Sequence, residues 1–341
     1  MRILIIGGTR FIGPYAVRRL SKLGHEIILF NRGVTMSSLN DEFDCIHGDR
    51  SNLVDFVEPI RKFAPHVVLD MIPISEHDAI DVINLMQGVV KRVVGISSQD
   101  VYRAYGVLIG IENGGLDPVP LDEASPLRTK FYPYRDQVDS EHRLYHYEKI
   151  QVEQVYLGNL DVPGTILRLP MVYGPGDYQH RLFPYLKRMD DGRPAIILES
   201  GLSAWRWSRC YVEDVATAIV LAVTNQEAEG RIYNVAEKDA LSEEEWVRAI
   251  GSAVGWGGEI VLVPEEKLSD HMRSNIRTEQ DLVVETMRIR KELGYSEVVD
   301  RHEALKRTIA WERANPPEQV DPNLFDYDTE DRILKDVGFF Q

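Results

Sequence analysis

The sequence predicts an α/β protein in which a doubly wound parallel sheet carries a smaller C-terminal lobe. Short apolar runs rich in β-branched residues alternate with segments whose apolar residues recur at helical spacing. The first run leads into a glycine-rich turn, a common link between the first strand and first helix of such sheets. The length of 341 residues fits one large domain with an appended lobe, or two domains. A content of 44% hydrophobic and 27% charged residues excludes a disordered or fibrous chain.

Strands are expected at the apolar runs and helices at the periodic segments between them. The predicted strands cover residues 2–6, 26–30, 44–47, 67–70, 92–97, 164–169 and 232–235. The predicted helices cover residues 14–23, 53–63, 78–89, 144–157, 183–189, 212–224, 242–254, 287–293 and 302–313. Residues 103–142 break the alternation with prolines and a glycine pair, so we expect them to pass over the active site.

Charge and composition argue against several classes of partner. The formal net charge is −15, and without a basic patch this charge would repel a nucleic acid. No apolar stretch reaches the roughly 18 residues of a membrane span, and no signal-peptide cleavage site follows the first apolar run. Cys45 and Cys210 suit a reducing compartment, so a cytoplasmic protein is expected. The nine histidines show no metal-like pairing, so no metal is expected.

The turn after the first strand predicts a dinucleotide site. Gly7 permits a tight turn, and Gly13 permits close packing of the following helix. Amides at the start of that helix can hold a pyrophosphate, because they point toward the ligand at the positive end of the helix dipole. The residues expected to bind the cofactor here are Gly7, Thr9, Arg10, Phe11, Ile12 and Gly13.

The residues after the second strand favour NADP(H) over NAD(H). An NAD site usually has an acidic residue near this position, and the chain has Asn31 followed by Arg32. Arg32 and Arg10 would bind a 2′-phosphate well, although Asn31 with two solvated arginines also suits NAD. Asp49 and Arg50, after the third strand, are expected at the cofactor as well, with Asp49 near the adenine.

Tyr145 and Lys149 form the only Tyr-x-x-x-Lys pattern in the chain. On a helix, residues four apart share a face, so the ammonium of Lys149 would favour the phenolate of Tyr145 and suit it to acid–base chemistry. Ser98 ends the preceding strand at the carboxyl edge, where it can hydrogen-bond the same substrate oxygen. The alternative is an ordinary amphipathic helix.

Taken together, these motifs resemble the extended short-chain dehydrogenase/reductase family of NAD(P)-dependent nucleotide-sugar epimerases and dehydratases. The resemblance runs from Met1 to about Arg313. The matching segments are residues 7–13, 48–49, 97–102, 145–149 with Glu153, 167–177, 209–216, 233–235 and 291–295. The pattern with Arg10 in place of a glycine also resembles an atypical branch of the family, some members of which bind RNA.

The resemblance implies a Rossmann-type domain from residues 1–169 and 209–236, and a substrate lobe from residues 170–208 and 237–314. Residues 315–341, an acidic tail of net charge −5, lie outside it. The resemblance assigns acid–base catalysis to Tyr145, binding of the nicotinamide ribose to Lys149, orientation of the substrate hydroxyl to Ser98, and a phosphate contact to Arg209. It also implies a homodimer that uses the Tyr145 helix.

The function expected from these features is hydride transfer on a sugar, with a nucleotide-sugar epimerase as the leading hypothesis. Dehydratases of the family carry an Asp-Glu pair where this chain has Gln99 and Asp100, and glutamine cannot act as an acid, so dehydration is disfavoured. Asp100 is retained as a substrate contact. The alternatives are an NADP-dependent reductase or dehydrogenase of a carbonyl substrate, and a non-catalytic NAD(P) sensor or scaffold.

Overall fold

A seven-stranded parallel sheet forms the centre of the protein. The structure is a computed structural model, and it describes residues 1–34 and 39–340. The strands are β1 (Arg2–Ile6), β2 (Glu26–Asn31), β3 (Asp44–His47), β4 (Val67–Asp70), β5 (Arg92–Ser98), β6 (Gly164–Leu169), β7 (Met171–Tyr173), β8 (Ala195–Glu199), β9 (Arg209–Tyr211), β10 (Ile232–Asn234) and β11 (Glu259–Val263). The order across the sheet is β10-β6-β5-β4-β1-β2-β3. The seven predicted strands are confirmed, with ends that differ by at most one residue.

The helices cover both faces of this sheet. They are α1 (Ile12–Lys22), α2 (Leu39–Glu42), α3 (Val57–Phe63), α4 (Glu76–Met86), α5 (Arg103–Leu108), α6 (Lys149–Gly158), α7 (Phe183–Asp190), α8 (Ser200–Ser203), α9 (Val212–Thr224), α10 (Glu243–Val254), α11 (Met287–Leu293), α12 (Arg301–Ala314) and α13 (Tyr327–Asp336). Alternate residues of β1 enter different apolar clusters, Ile3 and Ile5 on the face of α1 and α9, Leu4 and Ile6 on the face of α4 and α6. The doubly wound arrangement is therefore confirmed.

The register of the strands brings the predicted site residues to one edge. Ile6, the last residue of β1, pairs with Phe30 of β2 and with Asp70 of β4. The carboxyl ends of these strands therefore coincide, and the turn after β1 lies beside the residues that follow β2 and β4. In open α/β sheets, ligands bind at this edge.

Two small parallel sheets build the smaller lobe. β7 pairs with β9, and β8 pairs with β11. Between residues 174 and 208 the sequence predicts only the helix over residues 183–189, and the structure also has β8 and α8 there. These strands are short, and β8 is held by a partner more than 60 residues away, as the pairing of Ala195 with Glu259 shows. Pairing over that distance leaves no signal in the local sequence.

The acidic C-terminal segment folds back onto the lobe. α13 has its own N-cap, since the Asp326 carboxylate accepts a hydrogen bond from the Thr329 backbone amide at 3.1 Å. Leu334 is fully buried, and Ile333, which is 7% exposed, packs in an apolar cluster with Val263 of β11. No element was predicted in this segment, which the structure makes part of the lobe.

In the described part of the chain, each helix is too short or too polar to cross a membrane.

Candidate functional site

A cavity of about 710 Å³ opens at the carboxyl ends of β1, β2 and β4, and we call it the cofactor cavity. Gly7 and Gly8 have positive φ angles, which suit glycine and let the turn leave β1 sharply. Gly13 does not line the cavity. A Cβ atom there would lie 2.2 Å from the Gly8 carbonyl oxygen, so Gly13 allows α1 to start directly against the turn. The wall includes Gly7, Thr9, Arg10, Phe11 and Ile12, as predicted.

This cavity fits a dinucleotide. Its wall includes the glycine turn at the start of α1, whose backbone amides can donate to a pyrophosphate. The wall also includes residues 31–34, at and after the end of β2. Lys149 lies on its wall at the other end, where it adjoins the next cavity. The residues that would hold the cofactor are therefore the turn, the residues after β2 and Lys149.

At the adenosine end, Arg10 and Arg32 are exposed on the cavity wall. Asn31 is nearly buried, and its side-chain oxygen accepts a hydrogen bond from the Gly33 amide at 2.8 Å. That hydrogen bond holds the backbone conformation of residues 31–33, where the chain leaves β2. Residues 35–38, which follow, lie outside the described residues.

Asp49 and Arg50 lie on the same wall and have structural partners. Asp49 accepts a hydrogen bond from the Ser51 amide at 3.0 Å, which holds the pKa of its carboxyl below the usual range. Arg50 donates to both oxygens of the buried Asp70 at 2.9 and 3.0 Å. Arg50 thus ties the loop after β3 to the end of β4 and fixes the floor of the cavity.

A second cavity, of about 480 Å³, adjoins the first, and we call it the central cavity. The two share Arg143 and Tyr178 on their walls. Ser98 and Asp100 lie on the wall of the central cavity, as does Gln99. The segment predicted to pass over the site contributes Tyr105 and Tyr134 to this wall.

The structure corrects the predicted start of the helix that carries Lys149. That helix was predicted over residues 144–157, and α6 begins only at Lys149. The residue before it, Glu148, is the N-cap, and its carboxylate accepts from the Ile150 amide at 2.9 Å. Glu148 also forms a fully buried ion pair with Arg128 at 3.1 Å. These two ties hold Glu148 in an extended conformation, so the preceding residues cannot continue the helix.

As a consequence, Tyr145 and Lys149 do not share a helical face. Tyr145 lies in a turn before α6, where its carbonyl accepts from Arg135 Nε at 3.2 Å and its ring lies against the Arg135 guanidinium. It does not line the central cavity, whereas Tyr147 does. The sequence spacing is present, but the backbone between the two residues is not helical.

Tyr147 is the tyrosine that the fold brings to Ser98. Its hydroxyl donates a hydrogen bond to Asp100 Oδ2 at 2.7 Å, and its ring centroid lies 5.5 Å from Lys149 Nζ. Burial, followed by the charge of Asp100, raises the pKa of Tyr147 well above 10, while a hydrogen bond with Ser98 acts in the opposite direction. Tyr147 is therefore held as a neutral phenol.

Asp100 is the centre of a group of tyrosines. Its Oδ2 also accepts from the Tyr134 hydroxyl at 3.1 Å, and the hydroxyls of Tyr134 and Tyr105 lie 2.9 Å apart. Its Oδ1 is buried without a hydrogen-bond partner among the described residues. A buried acceptor without a donor is costly, so this oxygen is suited to a donor on a bound ligand.

Lys149 is buried between the two cavities. Its ammonium donates to the backbone carbonyls of Ile96, at 3.0 Å, and Pro73. Burial lowers its pKa to about 8, with Asp100 and Asp70 acting in the opposite direction. Two carbonyls thus fix the ammonium beside the Tyr147 ring and on the wall of the cofactor cavity.

Arg209 lies in neither of these cavities. It lines a third one, of about 490 Å³, in the smaller lobe, which we call the lobe cavity. Arg209 is 4% exposed and forms an ion pair with Glu243. The predicted phosphate contact therefore lies apart from the other predicted site residues, with a carboxylate already paired to it.

Sequence reasoning missed Tyr147, Tyr134 and Tyr105. The signal that pointed to Tyr145 was spacing on an assumed helix, and Tyr147 was visible two residues before Lys149. The Glu148–Arg128 pair that overrides the helix joins residues 20 positions apart, which spacing cannot reveal. Within the described residues, no cluster of three His, Cys, Asp or Glu side chains has the arrangement of a metal site.

The model of the NAD dependent epimerase/dehydratase family matches residues 3–236, which include the turn, Ser98 and Lys149. The chain belongs to this family. The matched residues include the central sheet except Arg2, and they include the residues that line the cofactor cavity. Membership of an NAD-dependent family is therefore shown for the part of the chain that forms this cavity.

Curated proteins that are similar in sequence to this chain are named for different activities. The chloroplast stem-loop binding protein of 41 kDa b of Arabidopsis thaliana is 26% identical over 75% of this chain, and the match spans 64% of the plant protein, less than two thirds of its length. The 2′-dehydrokanamycin reductase of Streptomyces kanamyceticus is 24% identical over 80% of this chain and 72% of the reductase.

Solved structures share the fold over nearly the whole chain. The UDP-glucuronic acid 4-epimerase of Bacillus cereus, in complex with UDP-glucuronic acid and NAD, superposes with a TM-score of 0.69. It is 16% identical, and the match covers 92% of this chain and 99% of the epimerase. The predicted Rossmann-type fold is thereby confirmed.

Proposed function

We propose that this protein transfers hydride between a nicotinamide cofactor and a hydroxyl-bearing carbon of a sugar, with Tyr147 as the group that gives or takes the proton. The observation that carries this proposal is the Tyr147 phenol on the wall of the central cavity, which Ser98 also lines, with its ring centroid 5.5 Å from Lys149 Nζ. When bound, the nicotinamide supplies the hydride acceptor or donor.

The state of Tyr147 favours proton donation. A neutral phenol gives its proton to an oxygen that gains negative charge as a carbonyl carbon is reduced. The Ser98 hydroxyl is placed to hold the same oxygen. Asp100 would accept a hydrogen bond from a neighbouring substrate hydroxyl through its unpartnered Oδ1. This arrangement supports a carbonyl reduction, either as the whole reaction of a reductase or as the second half of an epimerisation.

The chemistry of Gln99 argues against sugar dehydration. Gln99 lies on the wall of the central cavity, and its amide nitrogen donates to the Val235 carbonyl at 3.2 Å. An amide has no proton to give at neutral pH, so elimination of water lacks its acid at this position. Epimerase and reductase therefore remain the two candidate reactions, and they differ in whether the cofactor stays bound during turnover.

Replacing Tyr147 with Phe tests the proposal directly. Removal of the phenol should lower kcat by about 10²–10⁴-fold, the usual contribution of a positioned acid or base. The affinity for NADH, measured by fluorescence titration, should stay within about twofold, since the phenol lies on the wall of the central cavity.

Tyr145→Phe is the matched control. Tyr145 lies outside the central cavity, so this variant should keep kcat within about threefold of the unaltered protein. If Tyr145→Phe abolishes turnover and Tyr147→Phe does not, the family's spacing rule prevails and the assignment of Tyr147 is wrong.

The preference for NADP(H), expected from Arg10 and Arg32, is also a proposal. Both arginines lie on the wall of the cofactor cavity near the end of β2, which supports it. Arg32→Ala should reduce the ratio of NADPH to NADH affinity by roughly tenfold, because one charge-assisted contact to the 2′-phosphate is lost. An unchanged ratio in paired titrations would show that Arg32 does not read the 2′-phosphate.

A further inference from the structure

The lobe cavity continues the central cavity into the smaller lobe. The two share Met171, Arg181 and Trp207 on their walls. A substrate with a second ring or group beside Tyr147 would reach the lobe cavity past these three residues. What the lobe cavity accepts decides which class of substrate the protein takes.

The charges that line the lobe cavity cancel. Its wall has four arginines and four carboxylates, namely Arg181, Arg188, Arg209, Arg273, Glu199, Glu243, Asp326 and Glu330. Each of the four arginines is in an ion pair with a carboxylate of this chain. A phosphate entering this cavity would meet no arginine that lacks a carboxylate partner.

Arg209 is held by three groups of this chain. One terminal nitrogen donates to the carbonyls of Trp207 and Leu241, at 3.3 and 3.2 Å, and the other donates to Glu243. Its Nε is buried. To bind a phosphate, Arg209 would have to break a buried ion pair and leave the Glu243 charge uncompensated, which is costly.

Arg188 is closed off by the C-terminal segment. Glu330 of α13 accepts from Arg188 Nε and Nη2 at 2.9 and 2.6 Å, and the Leu324 carbonyl accepts from the same Nη2. The remaining nitrogen donates to the Pro184 carbonyl at 2.7 Å. Glu330, whose side chain is 3% exposed, thus occupies the position on this guanidinium that the acidic group of a ligand would take.

The rest of the wall is aromatic and apolar. Trp205, Trp207 and Trp246 line the cavity, together with Tyr185. Trp205 and Trp207 have ring centroids 5.5 Å apart, with their ring planes tilted by 43° to each other. The flat apolar face of an uncharged ring packs well on such a wall, and the neutral polar groups around it can fix the ring's hydroxyls.

We propose that the substrate is a phosphate-free glycoside of at least two rings, with the reacting ring beside Tyr147 and the second ring on the tryptophans of the lobe cavity. Glu243 and Glu330 are the specificity-determining residues, because they neutralise the arginines that a nucleoside diphosphate would need. This inference rests on the proposed function for the position of the reacting ring. It departs from the nucleotide sugar that the family resemblance implies.

The first test measures binding without turnover. The NADH-loaded protein is titrated with UDP, with UDP-glucose and with neutral disaccharides (maltose, cellobiose, lactose and trehalose), by calorimetry and tryptophan fluorescence. UDP and UDP-glucose should bind with a Kd weaker than about 1 mM, and at least one disaccharide should quench the tryptophan fluorescence at millimolar concentration. A UDP-glucose Kd below roughly 50 μM, or no response to any of the disaccharides, overturns the proposal.

The second test releases the arginines. Glu330→Gln removes the carboxylate partner of Arg188, and Glu243→Gln removes that of Arg209. The test needs only one of these variants to be folded, as shown by cooperative thermal unfolding. Each should tighten the binding of UDP by roughly tenfold or more, with the gain falling as salt rises. No gain in a folded variant would show that these carboxylates do not exclude phosphates, and would overturn the assignment.

Glu318→Gln is the matched control, since it removes one acidic charge from the same exposed C-terminal segment and lies outside the lobe cavity. Its UDP titration should equal that of the unaltered protein. The titrations are independent of Tyr147. A Tyr147→Phe variant that keeps full turnover refutes the proposed function, whereas tight UDP binding refutes only the substrate class.

Discussion

At the scale of single residues, the site depends on which tyrosine reaches the cavity. Tyr145 has the spacing that the family pattern asks for, and Tyr147 has the contacts, a 2.7 Å hydrogen bond to Asp100 and a place beside Ser98. A side chain's position follows from its backbone, and the backbone before α6 is not helical. Spacing alone therefore does not show which tyrosine lies on the wall of the central cavity.

Lys149 gives the site a testable pH dependence. Burial lowers its pKa to about 8, so it carries its charge below that pH and loses it above. If the charged form binds the cofactor ribose, kcat/KM should fall as the pH rises through about 8. Lys149→Arg should move this fall to higher pH, because arginine stays charged.

The control for this profile is Lys91→Arg, a change at an exposed lysine that lines none of the three cavities. It should leave the pH profile unchanged. If kcat/KM for the cofactor is flat between pH 7 and 9, the role given to Lys149 is contradicted.

At the scale of elements, the turn between β1 and α1 is the most fully predicted part of the site. Gly7 and Gly8 adopt positive φ angles, and Gly13 leaves space for the turn. Each of these requirements concerns a single position, so the glycines in the sequence indicate it directly. The start of α6 is the opposite case. It depends on Glu148, whose partner Arg128 comes from the segment that passes over the site.

Gly13→Ala tests the packing of the turn. The new Cβ would lie 2.2 Å from the Gly8 carbonyl oxygen, so the turn must shift. We expect NADH affinity to fall by at least about tenfold, and the free energy of unfolding to fall by roughly 1–3 kcal/mol, the usual cost of overpacking. Fluorescence titration and urea denaturation measure the two effects.

Gly158→Ala, at the end of α6, is the matched control. Its Cβ would have no neighbour within 4 Å, so affinity should not change. Equal NADH affinity in all three proteins would contradict the close approach of α1 to the turn.

At the scale of the whole molecule, the acidic C-terminal segment changes how the net charge of −15 is understood. By sequence, residues 315–341 form a tail of charge −5 outside the family resemblance. In the structure, Glu330 and Asp331 pair with Arg188 and Arg193 of the lobe. The segment therefore neutralises part of the lobe's positive charge at the mouth of a cavity.

Leu334→Ala tests whether this segment is a stable part of the lobe. The Leu334 side chain is fully buried, although α13 lies at the end of the described chain. Its truncation should lower the free energy of unfolding by about 2–5 kcal/mol, as for other buried leucines. Val320→Ala, at a position 39% exposed on the same segment, should change it by less than about 0.5 kcal/mol. Equal effects of the two variants in urea denaturation would show that α13 does not pack as described.

The sequence by itself determined the central sheet, the glycine turn and the family, because each depends on local features. Buried strands such as β1 and β4 are short apolar runs, and the requirements of Gly7 and Gly13 are those of single backbone positions. Only the tertiary structure decided which tyrosine lies on the same cavity wall as Ser98. It also decided that Arg209 and Arg188 form ion pairs with carboxylates. Those outcomes depend on ion pairs between residues 20 to 142 positions apart, and burial rather than sequence distance fixes which charges meet.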